Sequence, residues 1–177
     1  MFAHAAAGLS LALALVAAPA CAGQLKFRAS LSGEREPTKT GSMATAQALI
    51  LVDTDRRTVD VRLYANGMTL DQLSNSLRRS PMGPIHLHVY AGRDHNHAAD
   101  ADLLFPLPFG PSYSPGEDSF QVETGAVDFA KGAALVNAKA SFAEFLSSLQ
   151  AGRIVLNVHT NRFADGEISG DVAASAD

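Results

Sequence analysis

The sequence predicts an all-β protein, an immunoglobulin-like antiparallel β-sandwich with one short helix, and three observations carry that expectation. Apolar residues recur at every second position in residues 44–53 (ATAQALILVD), 59–65 (VDVRLYA) and 153–160 (RIVLNVHT), the period of a strand with one buried face. Polar, turn-forming runs separate these segments. Helical spacing is convincing only over residues 141–152 (SFAEFLSSLQAG). Many short strands joined by turns, with one isolated helix, suit a sandwich.

The N-terminus stands apart from this pattern. An apolar run from Ala5 to Ala18 is followed by small residues at two cleavage-like positions, Ala18-Pro19-Ala20 and Ala20-Cys21-Ala22. This is the pattern of a secretory signal peptide, and the run is short for a membrane span. Residues 1–22 are therefore expected to direct export to the periplasm or the extracellular space. A lipid anchor at Cys21 is the alternative, although Ala18-Pro19-Ala20 matches such a signal poorly. Residues 23–177 then form a single domain, long enough for a substantial core. No second apolar stretch is long enough to span a bilayer. Cys21 is the only cysteine, so the domain has no internal disulfide and must be held by packing alone.

The elements follow in order. The turn-like run 53–58 (DTDRRT) joins the first two alternating segments as a hairpin, and Asn66-Gly67 marks the next turn. Thr69-x-x-Gln72 opens a short helical stretch bearing Leu70, Leu73 and Leu77. The Pro-, Gly- and Ser-rich run 105–119 (FPLPFGPSYSPGEDS) reads as an exposed connection. Strands are expected again at 120–124 and 126–129. Ser141 and Glu144 form a capping box for the main helix, with Phe142, Phe145, Leu146 and Leu149 on its buried side. Residues 153–160 and 166–172 pair as a final hairpin around the turn 161–165. Val61, Leu87, Leu156 and Val158 lie on aliphatic strand faces and are the expected core.

The chemistry concentrates in residues 84–97, PIHLHVYAGRDHNH, which hold four of the six histidines. Ile85, Leu87 and Val89 share one strand face, so His86, His88 and Tyr90 share the other. His159 lies opposite the aliphatic face of its own strand. Residues i and i+2 of a strand are ~7 Å apart, near enough for two imidazoles to converge on one ion with bonds of ~2 Å. Neutral imidazole suits copper and zinc. His95 or His97 is a candidate fourth ligand, and Asp94, Asp100 and Asp102 are candidate partners that orient the rings. The alternative is a polar strand face running into a polar loop.

Other chemistries lack support. Net charge is −4 with no basic block and no Trp, which argues against nucleic-acid binding. No serine sits in a nucleophile elbow and no Gly-rich phosphate loop follows a strand, so a hydrolase is not indicated.

PIHLHVYAG (84–92) and AGRIVLNVHTNRFADGEISGDV (151–172) together resemble the CHRD, or chordin-type, domain family, with a looser likeness over residues 31–68. The resemblance implies an exported immunoglobulin-like β-sandwich. The histidine strands are also similar to the ligand strands of copper-zinc superoxide dismutases. That partial likeness implies copper ligation by His86, His88 and His159, with His95 or His97 completing the set. The disulfide pair of those enzymes is missing, and no separate zinc site is recognisable. The expectation is an exported CHRD-domain protein with a histidine-rich site for copper or another divalent metal. A metal-free binding or structural module and a dismutase-like redox enzyme are its rivals, and the sequence names no protein partner.

Overall fold

The first two strands and their partner meet in a register that the alternation dictates. β1 (Gln24–Ser32), β2 (Thr45–Asp53) and β3 (Thr58–Asn66) run antiparallel, with Phe27 opposite Ile50 and Ile50 opposite Val61. All three side chains are buried, while Arg28, Leu49 and Arg62 line up on the other face. A slip of one residue would exchange these faces, so burial locks the register. The β2–β3 turn is closed by Asp53, whose carboxylate accepts from the backbone N–H groups of Asp55 (3.0 Å) and Arg56 (2.8 Å). The computed structural model describes residues 23–95 and 101–175. The expected signal peptide and His97 lie outside the described residues.

The remaining strands are β4 (Ile85–Val89), β5 (Asp102–Leu107), β6 (Tyr113–Pro115), β7 (Ser119–Glu123), β8 (Val127–Asp128), β9 (Ile154–Val158), β10 (Ile168–Asp171) and β11 (Ala173–Ala174). They are joined in one continuous path, β5-β4-β9-β10-β1-β2-β3-β7-β6, with β11 beside β1 and β8 beside β3. Every pairing is antiparallel. This corrects the expected pair of separate facing sheets: the strands form one curled sheet, a half-barrel rather than a clear sandwich. The reason lies in β1. It pairs with β2 along its whole length, and its other edge takes β10 at Ser32 and β11 at Phe27 and Arg28. One strand thus belongs to both halves.

The concave side holds the core. Val61, Leu87, Leu156 and Val158 are fully buried there, as expected, together with Ile50, Phe105, Phe120 and Phe145. β9 is buried at all five positions, because β10 and β4 flank it and both of its faces are covered.

Two further corrections concern the connections. Residues 105–119 are not simply an exposed link. Phe105 and Leu107 belong to β5 and are buried, and Tyr113 in β6 donates its hydroxyl to the Leu107 carbonyl at 2.6 Å. Pro106 is accommodated because β5 ends the sheet, where a missing N–H breaks no ladder.

The single expected helix is present as α3 (Phe142–Gln150), capped reciprocally by Ser141 and Glu144. It is joined by α2 (Phe129–Leu135), where the sequence pattern suggested a strand through Phe129. Asp128 ends β8 and caps α2 by accepting from the Lys131 N–H at 2.9 Å. Phe129 then stacks on Phe145 with ring centroids 4.8 Å apart, so the helix exists to cover an aromatic surface supplied by distant segments. The Thr69-x-x-Gln72 motif forms a 3-10 turn (Leu70–Gln72), followed by the single helical turn α1 (Asn75–Arg78).

Candidate metal centre

β4 and β9 are neighbours, and their register places Ile85 opposite Val158, His86 opposite Asn157 and His88 opposite Val155. The pairing continues one step further, since the His159 N–H donates to the Pro84 carbonyl at 2.8 Å. His86 and His88 therefore share a face with Asn157 and His159, on the side away from Leu87 and Leu156. Ring centroids are 4.6 Å apart for His86–His159, 5.5 Å for His86–His88 and 6.0 Å for His88–His159. One ring nitrogen from each histidine lies within 4.8 Å of those of the other two.

Hydrogen bonding assigns the tautomers. His86 Nε2 lies 2.8 Å from the Gly83 carbonyl oxygen, and His159 Nδ1 lies 2.7 Å from the Ala164 carbonyl oxygen. A carbonyl only accepts, so both nitrogens carry hydrogens. In neutral rings the other nitrogens, His86 Nδ1 and His159 Nε2, then hold bare lone pairs, and these face each other at 3.1 Å. The rings are held neutral. Burial, followed by the neighbouring His159, pushes the His86 pKa down to about 4. Burial, followed by His86 and His159, pushes His88 down to about 3. Burial also lowers His159, opposed by the Ala164 carbonyl and Asp165.

Two lone pairs at hydrogen-bonding distance, with no proton between them, repel. A cation beside both relieves that repulsion, and bonds of ~2 Å to each are compatible with their separation. His88 adds a third imidazole, half-buried, whose two ring nitrogens are buried and, among the described residues, not hydrogen-bonded. It has no bond to break in turning toward an ion. Orientation of metal-binding imidazoles by carbonyl acceptors is a common feature of such centres, and here Gly83 and Ala164 supply it for His86 and His159; of the aspartates the sequence offered, Asp100 lies outside the described residues. Gly83 has φ +66°, and a Cβ there would fall 2.0 Å from the Leu107 carbonyl oxygen. Only glycine fits the turn that aims this carbonyl at His86.

Of the two candidate fourth ligands, His95 is not part of the three-histidine group. Its Nδ1 lies 2.8 Å from Asp171 Oδ1 in β10, and its ring packs on Tyr90 with centroids 4.7 Å apart. Residues 91–95 fold back toward β10 and the end of α3, where Arg93 Nε donates to the Ala151 carbonyl at 2.7 Å. His95 is thereby engaged away from the cluster. Sequence reasoning missed Gly83, Ala164 and Asn157 as site residues. Only Asn157 carried a signal, by sharing the alternating face of His159.

The cluster opens on a cavity of about 660 Å³ whose wall includes His88, His159, Asn157, Tyr90, Arg162 and Asp165. A mostly antiparallel β domain with a buried three-histidine cluster beside a cavity is thus defined, and the cluster could hold a metal ion. The sequence matches the CHRD domain family over residues 27–172, and the chain belongs to that family. No curated protein matches it. Among the described residues no helix is long and apolar enough to cross a membrane.

Proposed function

We propose that this CHRD domain is an exported metal-binding domain holding one copper or zinc ion through His86, His88 and His159. One observation carries the reading: two imidazole lone pairs face each other at 3.1 Å while their opposite nitrogens are tied to carbonyls. An all-imidazole donor set without thiolate suits zinc and copper over calcium or magnesium. Export rests on the signal-like residues 1–22. Metal content of the purified protein, before and after dialysis against copper or zinc, tests the reading. One ion per chain is expected, lost in the His86→Ala, His88→Ala double variant. Equal binding by both proteins at pH 7 would reduce these histidines to a polar strand face.

A second reading, a copper redox enzyme of superoxide dismutase type, is favoured by the cavity at His88 and His159. Such an enzyme needs a coordination position that a small molecule can reach. A dismutase assay on the copper-loaded protein separates it from a storage or structural role.

A further inference from the structure

Glu167 leads into β10 and is tied to the sheet by its own backbone, whose N–H donates to the Val158 carbonyl at 2.7 Å. From that base its carboxylate joins two segments. Oε2 accepts the Thr160 hydroxyl at 2.7 Å, and Oε1 accepts the Ser42 hydroxyl at 2.6 Å. Thr160 is buried, and its one hydroxyl hydrogen is committed to Glu167. Its oxygen is left to accept, and the Phe163 N–H donates to it at 3.2 Å. Phe163 precedes Ala164, whose carbonyl takes the His159 Nδ1 hydrogen at 2.7 Å. A chain of contacts thus runs from the Glu167 carboxylate through Thr160 and the turn to the ring of His159.

That turn needs holding. Asn161, Arg162, Ala164 and Asp165 are exposed, and an exposed connection with few contacts is the part of a fold that moves most readily. Asn161 is tied to residues 71–75, and Asn157 Nδ2 donates to the Asp165 carbonyl, but neither tie touches Phe163 or Ala164. Resting on the metal reading above, we propose that Glu167 is a positioning residue of the metal centre. By bracing Thr160 it fixes the Ala164 carbonyl, and through that carbonyl the ring of His159. It acts through hydrogen bonds and not as a ligand, because hydroxyls occupy both of its oxygens.

The test reads the zinc affinity of the full-length chain by isothermal titration at pH 7. It also reads solvent exchange of the His159 Nδ1 proton, by nuclear magnetic resonance of the metal-free protein. Glu167→Ala should lower zinc affinity roughly tenfold, the low end for losing a group that orients a ligand. It should hasten the His159 exchange severalfold while sparing that of His86 Nε2 on the Gly83 carbonyl. Glu167→Gln still offers an oxygen to Thr160 and should recover most of both losses. Thr160→Val breaks the same link at its other end and carries the test should Glu167→Ala not fold. The double variant should lose no more than either single one, since both remove one link. Asp128→Ala removes the α2 cap instead; it should lower stability and leave zinc affinity within twofold. A folded Glu167→Ala with wild-type affinity or wild-type exchange overturns the proposal. So do losses that multiply in the double variant, or an equal loss in Asp128→Ala. No zinc uptake by wild type refutes the metal reading itself, and the proton measurement, which needs no metal, still judges the link from Glu167 to His159.

Discussion

His86 Nδ1 and His159 Nε2 lie 3.1 Å apart across neighbouring strands, though the residues are 73 positions apart in the chain. Each ring has its other nitrogen anchored to a backbone carbonyl. The pair is poised to accept a cation, and its surroundings resist using a proton for that purpose.

Proton competition for the metal should begin at lower pH than for ordinary histidine. An unperturbed imidazole titrates near 6.5, which alone would place the loss of metal below about pH 6. With His86 held at about 4 and His88 at about 3, copper bound to the folded protein should persist to roughly pH 5. A copper titration followed by absorbance from pH 7 to pH 4 checks this. Release centred near pH 6.5 would mean the rings are solvated.

The metal-free protein should lose stability in the same window. The lowered folded-state values mean that the unfolded chain binds more protons between about pH 6.5 and pH 4, so unfolding becomes easier as pH falls. The contribution is fully present above about pH 6.5 and declines on acidification, by on the order of 3 kcal/mol for His86 alone at pH 4, with His88 adding to it. Urea unfolding at pH 7.5, 6 and 5 measures it. His88→Ala should flatten the slope, and an unchanged slope would show that His88 is not held neutral by burial.

Metal should stabilise the fold by mass action. At a free concentration one hundred times the dissociation constant the gain is about 2.7 kcal/mol, visible as a higher Tm that a chelator reverses. His159→Ala should abolish the increment, because it removes one of the two facing nitrogens. A variant that still gained the full increment would place the ion elsewhere.

Gly83→Ala should weaken the centre without touching a ligand. The new Cβ would meet the Leu107 carbonyl oxygen at 2.0 Å, so the turn must shift and take the His86 acceptor with it. Loss of an orienting partner costs roughly 10–100-fold in metal affinity. Isothermal titration with zinc measures this, and wild-type affinity would mean that His86 is oriented by its packing alone.

Leu156→Ala should cost about 2–5 kcal/mol of folding stability, since Leu156 is fully buried between its neighbours in β4 and β10. Chemical denaturation reads the loss. A change below about half a kilocalorie would contradict the buried face assigned to β9.

Alternation in residues 44–65 and 153–160 was enough to place the aliphatic faces of β2, β3 and β9, because a strand's side chains change sides at every residue and burial tolerates no slip. The same rule put His86 and His88 on one face. The Ser141–Glu144 box marked α3, since a capping box is a contact within four residues. Other features depended on what the chain meets at a distance. α2 forms because Phe105 and Phe145 offer Phe129 a surface to cover, and the sheet is continuous because β1 has partners on both edges. His95 and His159 are both candidate ligands in the sequence, yet one turns to Asp171 and the other to His86. Tertiary structure alone decided which carbonyls, those of Gly83 and Ala164, take the imidazole hydrogens and leave two lone pairs facing. Strand facing is a local property with period two, whereas the choice of hydrogen-bond partner depends on which backbone groups the fold brings within 3 Å.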